Sequence, residues 1–143
     1  MASDVVVLDT NVWSHLFGFK RRQHDQTETW RRLLTGRTIA IATQTRAEIL
    51  VWPLSSNLGE TRTNRVLAEL DATPTIPVDE QVIQRYARLT VDATKRGDAL
   101  CGKAHVGDRW IAATALAINA SLLSDDQIFR HDPDLVLLGR DAS

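Results

Sequence analysis

The four residues Val5–Leu8 (VVVL) narrow the possible folds of this chain more than any other segment. A continuous run of β-branched and aliphatic residues is typical of a parallel strand that is buried on both faces. Parallel strands are joined by long crossovers, usually helices, which then cover both sides of the sheet. The run therefore predicts a central strand of an α/β protein.

The rest of the chain alternates further short apolar runs with helical patterns, as a parallel α/β sheet requires. Strands are predicted at 38–42 (TIAIA), 121–124 (SLLS) and 135–138 (LVLL), with a short extended piece between Pro74 and Pro77. The predicted helices span residues 9–17, 25–34, 46–52, 59–70, 79–97 and 107–119. Pro53 is expected to end the third of these helices, and Asp79 to cap the fifth. Residues 97–107, which contain three glycines, are predicted to be the most mobile loop.

Length and cysteine usage fit an intracellular protein with one domain. The 143 residues predict a single domain over 1–143, and the only cysteine, Cys101, excludes an intramolecular disulfide. The start of the chain shows neither a signal peptide nor a membrane anchor. We therefore expect a cytoplasmic location.

Charge gives less information, because 17 basic residues balance 18 acidic ones at a net charge of −1. The basic residues form two groups, each of which is typical of a solvated helix face when taken alone. The groups are Lys20, Arg21, Arg22, Arg31, Arg32 and Arg37, and then Arg85, Arg88, Lys95, Arg96, Lys103 and Arg109.

Carboxylates follow two of the predicted strands, at the edge where open parallel sheets place their functional crevice. Asp9 comes directly after VVVL, and Asp126 follows LLS with Asp125 beside it. Two more acids belong to neighbouring helices. Asp108 shares the apolar stripe of its helix, and Glu48 shares its side with bulky apolar residues. Convergence of all four acids is therefore geometrically allowed.

Convergence would require counter-charge or protonation. Two carboxylates about 4 Å apart repel by roughly 4 kcal/mol at an effective dielectric near 20, against a total stability of about 5–15 kcal/mol. All-oxygen ligation without cysteine favours the hard ions Mg²⁺ or Mn²⁺. Each acid alone also has an ordinary interpretation: Asp9 as a helix cap, Asp108 as a dipole partner, Glu48 as a surface residue and Asp126 as a turn residue.

Four stretches, LDTNVW, TRAEIL, GDRWIAATAL and LLSDDQIF, resemble in this order and spacing the PIN-domain nucleases, most closely the VapC-type toxins of bacterial toxin–antitoxin pairs. The resemblance covers nearly the whole chain and implies a PIN-like three-layer fold, with a central, mainly parallel sheet flanked by helices. It also implies a metal site formed by Asp9, Glu48, Asp108 and Asp126. Asn11 and Ser124 occupy the positions of supporting polar residues. Of the doublet, Asp126 is expected to face the metal, because Phe129 then aligns with the aromatic residue that commonly follows the motif, and Asp125 is expected to support it.

The function implied by this resemblance is that of a Mg²⁺- or Mn²⁺-dependent endoribonuclease that leaves a 5′-phosphate and a 3′-hydroxyl. A VapB-type antitoxin and a homodimer are expected on the same basis. The residues expected to contact RNA phosphates are Lys20, Arg21, Arg22, Lys103 and Arg109.

Several other functions are weighed against this one. A haloacid-dehalogenase-like phosphatase needs a second aspartate two residues after the first, where this chain has Asn11, and a receiver domain needs an early acid pair that is absent. A metal-independent nuclease would use His15, His24, His105 or His131. A housekeeping nuclease without an antitoxin and a non-catalytic RNA-binding module also remain open.

Overall fold

Four parallel strands form the centre of the computed structural model, which describes residues 4–18, 25–55 and 57–139. The strands are β1 (Val5–Leu8), β2 (Thr38–Ala42), β3 (Thr75–Ile76) and β4 (Ser121–Leu123). Their order in the sheet is β3-β2-β1-β4, and each neighbouring pair is parallel. The strand β1 is therefore central, as predicted.

Six helices connect the strands in the described residues. They are α1 (Thr10–Phe17), α2 (Thr27–Leu34), α3 (Thr43–Ser55), α4 (Glu60–Asp71), α5 (Glu80–Arg96) and α6 (Val106–Ala117). Three short 3-10 turns lie at Ala99–Cys101, Lys103–His105 and Gln127–Phe129. This mainly parallel α/β arrangement confirms the predicted fold class.

The two faces of β1 pack into two separate hydrophobic clusters. Val6 and Leu8 join a cluster with residues of α1 to α4, whereas Val7 joins a second cluster with residues of α5 and α6. All three side chains are fully buried. Alternate residues of a strand point to opposite faces, so the unbroken apolar run follows from helices on both sides.

Two predictions about secondary structure are wrong, one about a strand and one about the end of a helix. The predicted strand at 135–138 contributes only an isolated parallel bridge between Leu122 and Leu137, with the Leu122 amide donating to the Val136 carbonyl over 2.8 Å. Pro53 lies inside α3, which continues to Ser55. A proline removes one helical hydrogen bond, and here the helix continues for two more residues.

The glycine-rich segment after α5 is built of turns. Asp79 caps α5 by accepting from the Val82 amide over 3.0 Å, as predicted, and Gly97 ends the helix in the left-handed region with φ of 68°. Glycine adopts this conformation without the cost that a side chain would bring. The two 3-10 turns that follow carry the chain to α6, and the mobility of this segment stays a prediction.

None of the helices in the described residues is long and apolar enough to cross a membrane.

Candidate active site

Asp9 lies where β1 passes into α1, and its side chain is held at several points. Its backbone amide donates to the Leu123 carbonyl of β4 over 3.0 Å, which fixes the end of the strand. One carboxylate oxygen accepts from the Thr10 amide at 2.8 Å, and the other accepts from the Ser124 hydroxyl at 2.7 Å. Asp9 therefore caps α1 and is also anchored to the carboxyl end of β4.

The pKa of Asp9 depends first on burial and then on its polar and charged neighbours. Its side chain is 6% exposed, and burial raises its pKa from 3.8 to about 6. The hydrogen bonds from Ser124 and Thr10 oppose this change, whereas the negative charges of Asp108 and Glu48 add to it. Two of the other predicted acids, Asp108 and Glu48, thus act on Asp9 through their charges.

Glu48 projects from α3 and is held through both of its carboxylate oxygens. Thr10 donates its hydroxyl hydrogen to one oxygen, and Gln44 donates its amide to the other over 3.2 Å. The Thr10 hydroxyl also lies 3.1 Å from that of Thr45, which is fully buried. The residue after Asp9 in sequence therefore connects Asp9 with Glu48.

Gly107 allows α3 and α6 to approach each other at this point. A Cβ atom at position 107 would lie 3.0 Å from Nε2 of Gln44 and 3.2 Å from Oε1 of Glu48. Contacts of that length are tighter than ordinary packing allows. The absence of a side chain at Gly107 therefore lets the Glu48 carboxylate lie against the start of the helix that carries Asp108.

Asp108 lies in the first turn of α6, where its carboxylate contacts a histidine. Nδ1 of His105 is 2.8 Å from Oδ2 of Asp108. About a quarter of the Asp108 side chain is exposed to solvent. The carboxylate is thus partly accessible to solvent, while one of its oxygens is held by His105.

The two aspartates after β4, Asp125 and Asp126, make different contacts. Asp126 is exposed, and its carboxylate caps the Gln127–Phe129 turn by accepting from the Ile128 amide over 2.9 Å. Asp125 is partly buried and lies 3.5 Å from the Asn11 amide nitrogen, a long contact. Asn11 is two residues from Asp9, so this contact links Asp125 to the start of α1. That Asp126 rather than Asp125 faces the metal stays a prediction.

Asp9, Glu48 and Asp108 offer a cation only carboxylate oxygens. Within the described residues, no three His, Cys, Asp or Glu side chains are grouped closely enough to hold an ion directly. Mg²⁺ keeps several of its waters and commonly binds through only one or two carboxylates. The repulsion felt by Asp9 and the all-oxygen character of Asp9, Glu48 and Asp108 agree with such a site.

The structure places the residues predicted to contact RNA in different environments. Arg109 is 5% exposed and donates to the carbonyls of Leu100 (2.7 Å) and Gly102 (2.8 Å) and to the Tyr86 hydroxyl (3.1 Å). The prediction that Arg109 contacts RNA is therefore wrong, because its guanidinium fixes the chain between α5 and α6. Lys103 is exposed on the second 3-10 turn. Lys20, Arg21 and Arg22 lie outside the described residues.

Ser124 and Asn11 were predicted to support the acids, and Ser124 donates to Asp9 while Asn11 lies near Asp125; Thr10, Gln44 and His105 were not predicted in this role. Gln44 precedes Glu48 by four residues and His105 precedes Asp108 by three, and both spacings place side chains together on a helix or helical turn. A search for donors at these spacings would have found both. Thr10 could be found only by knowing that α1 and α3 pack together.

The described geometry agrees with the comparison to known families. The chain matches the family model of the PIN domain over residues 6–133. It therefore belongs to the PIN-domain family. No significant match was found among curated proteins when sequences alone were compared.

Solved structures with the same fold come from bacterial VapBC complexes. VapBC2 of Rickettsia felis, bound to a DNA fragment from its promoter, is 24% identical with a TM-score of 0.75, covering 93% of this chain and 96% of that chain. VapBC-1 of nontypeable Haemophilus influenzae is 25% identical with a TM-score of 0.73 and the same coverage. VapBC-5 of Mycobacterium tuberculosis, a member of the VapBC family of toxin–antitoxin systems, is 24% identical with a TM-score of 0.68, covering 94% and 98%. These likenesses support the assigned fold over nearly the whole chain.

Proposed function

We propose that this protein is a Mg²⁺- or Mn²⁺-dependent endoribonuclease and the toxin of a VapBC-type toxin–antitoxin pair. One observation carries the proposal: the Asp9 carboxylate lies at the carboxyl edge of the sheet, where burial raises its pKa to about 6 and the charges of Asp108 and Glu48 add to the rise. Such a cluster is stable near neutral pH only with protonation or a cation. Membership of the PIN-domain family supports a nuclease.

The residues proposed to hold the cation are Asp9, Asp108 and Glu48, with the fourth acid supplied by the Asp125–Asp126 doublet. A divalent ion at this position would lower the pKa of water and stabilise negative charge on a phosphodiester. Ser124, Thr10 and Gln44 keep the carboxylates oriented through the hydrogen bonds described above. The proposed hydrolysis needs no side-chain nucleophile and leaves a 5′-phosphate and a 3′-hydroxyl.

The proposed partners follow from the similar structures. Those structures are of VapBC proteins, and the one from Rickettsia felis is bound to DNA as well. By analogy with these proteins, we propose that this chain binds a VapB-type antitoxin, which covers its acidic residues. We also propose that it forms a homodimer and that it is cytoplasmic. Lys103 is proposed to contact the RNA backbone from its exposed turn, and Lys20, Arg21 and Arg22 remain proposed contacts on the basis of their charge.

The decisive experiment is cleavage of a labelled structured RNA by the purified protein with Mg²⁺ or Mn²⁺, compared with the same reaction in EDTA. The variant Asp108→Asn should not cleave, whereas Asp134→Asn, which changes an exposed acid on a distant loop, should cleave as wild type. The new ends should carry 5′-phosphates. Cleavage that persists in EDTA would contradict the metal-dependent reaction and favour the histidine-based alternative.

Two other outcomes distinguish the remaining functions. RNA binding without cleavage, with either metal supplied, would indicate a non-catalytic binding module. Cleavage combined with unrestrained growth of cells that express the protein without an antitoxin would indicate a housekeeping nuclease. Mapping the RNA 5′ ends after induced expression would identify the substrate class.

A further inference from the structure

The contact between His105 and Asp108 has a defined polarity. The two atoms, Nδ1 of His105 and Oδ2 of Asp108, are 2.8 Å apart. An ionised carboxylate only accepts hydrogen bonds, so Nδ1 carries the hydrogen and donates it. The histidine therefore occupies Oδ2 and leaves Oδ1 as the second carboxylate oxygen.

The turn that carries His105 is itself anchored. The His105 amide donates to the Gly102 carbonyl over 3.0 Å, and the same carbonyl accepts from Arg109 at 2.8 Å. Arg109 is buried and contacts the Tyr86 hydroxyl, with its guanidinium 5.4 Å from the centre of the Tyr86 ring. The position of His105 is thus fixed by the packing of α5 against α6.

An anchored donor matters at this carboxylate because its neighbours repel it. The negative charge of Asp108 acts on that of Asp9, and Oε1 of Glu48 lies 3.2 Å from where a Cβ of Gly107, the residue before Asp108, would stand. The side chains of His105 and Asp108 are 30% and 25% exposed, so their hydrogen bond is partly shielded from competing water. The imidazole offsets the repulsion locally and limits the rotation of the carboxylate.

We propose that His105 is a positioning residue, which holds Asp108 through Nδ1 in the orientation that a divalent cation needs, without itself binding the cation. This inference rests on the proposed function, because it concerns the same cation site. Residues that hydrogen-bond to metal ligands commonly contribute about 10-fold to 100-fold to metal affinity. The other three site carboxyls keep their own hydrogen-bond donors.

The test is a titration of the full chain with Mn²⁺, in which the electron paramagnetic resonance signal of free Mn²⁺ measures how much of the ion is bound. His105→Ala should weaken Mn²⁺ binding about tenfold. His105→Asn should restore most of the affinity, because the asparagine side-chain nitrogen lies near the position of Nδ1 and also donates. His131→Ala is the matched control, since it removes an exposed histidine from the loop after the Gln127–Phe129 turn and should bind as wild type.

A second readout separates positioning from general damage to the fold. RNA cleavage by His105→Ala should require more Mn²⁺ but reach nearly the wild-type rate at saturation. Urea unfolding in EDTA should change little. If His105→Ala loses both its cleavage rate at saturating Mn²⁺ and its free energy of unfolding in EDTA, positioning is overturned as the role of His105.

The remaining outcomes are distinct. If wild type itself binds no Mn²⁺, the proposed function fails, and the inference fails with it. If wild type binds Mn²⁺ and His105→Ala binds equally well, only the inference is overturned. A directly coordinated ¹⁴N signal in the wild-type Mn²⁺ complex that disappears in His105→Asn would show that His105 is a ligand, which also overturns the inference.

Discussion

Replacing Asp9 by Asn should stabilise the cation-free protein at neutral pH and destabilise it in acid. Burial and the charges of Asp108 and Glu48 raise the pKa of Asp9 from 3.8 to about 6. At roughly 1.4 kcal/mol per pKa unit, ionised Asp9 costs the folded state about 3 kcal/mol relative to protonated Asp9. The folded pKa is the higher one, so the stability that Asp9 confers is present below about pH 4 and is lost as the pH rises through about 6.

Asparagine removes this charge but also weakens two hydrogen bonds. Its single carbonyl oxygen cannot accept from both the Thr10 amide and the Ser124 hydroxyl, which should cost about 1 kcal/mol. The expected net effect of Asp9→Asn is a gain of about 2 kcal/mol at about pH 8 and a loss of about 1 kcal/mol at about pH 4.

Urea unfolding in EDTA at both pH values measures this difference. With a slope of about 2 kcal/mol per molar, the midpoint of the variant should rise by about 1 M in base and fall by about half as much in acid. Asp134→Asn, on an exposed loop, is the control and should show neither change. A variant destabilised by the same amount at both pH values would refute the reasoning, because it would show that Asp9 serves only as a cap.

Three further substitutions test the contacts around the site. Gly107→Ala should keep or slightly raise the free energy of unfolding, because alanine has a helix propensity advantage of about 1 kcal/mol over glycine. It should nevertheless weaken Mn²⁺ binding in titrations, because the new Cβ displaces Glu48. This loss of Mn²⁺ affinity should be smaller when Gln44 is also replaced by alanine. Arg109→Lys should lower the free energy of unfolding by about 2 kcal/mol, since one ammonium cannot replace the guanidinium contacts, whereas Arg88→Lys on the exposed face of α5 should not. Asp126→Asn should reduce RNA cleavage more than Asp125→Asn, measured as initial rates; the reverse order would show that Asp125 faces the cation.

The fold was largely predictable because its strongest signals are local. The unbroken run VVVL indicates burial on both faces, and the two hydrophobic clusters confirm this for Val6, Val7 and Leu8. The strand at 135–138 was not predictable in the same way. Its apolar letters resemble those of Val5–Leu8, but only Leu122 pairs with it, and Val136 is 61% exposed. Whether a segment pairs as a strand depends on the segments that lie beside it in the fold, and these cannot be read from its own residues.

The candidate site was predictable as a set of acids but not as a set of contacts. Strand ends identify Asp9 and the doublet, because parallel strands share one edge. The donors to Glu48 come from Thr10 and Gln44 on two different helices, so only the packing of α1 against α3 brings them together. Burial of Asp9 likewise depends on the whole core, and its raised pKa follows from that burial.

Asp108 and Arg109 show how neighbouring residues can take opposite roles. Both were predicted to act at the cleft, the first as a ligand and the second as an RNA contact. Consecutive residues on a helix point about 100° apart, so a helix that directs Asp108 toward the other acids must direct Arg109 elsewhere. On α6 that direction is toward α5, where Arg109 binds the carbonyls of the turn that presents His105. The charge next to the site therefore supports Asp108 through the backbone and His105, rather than by contact with the substrate.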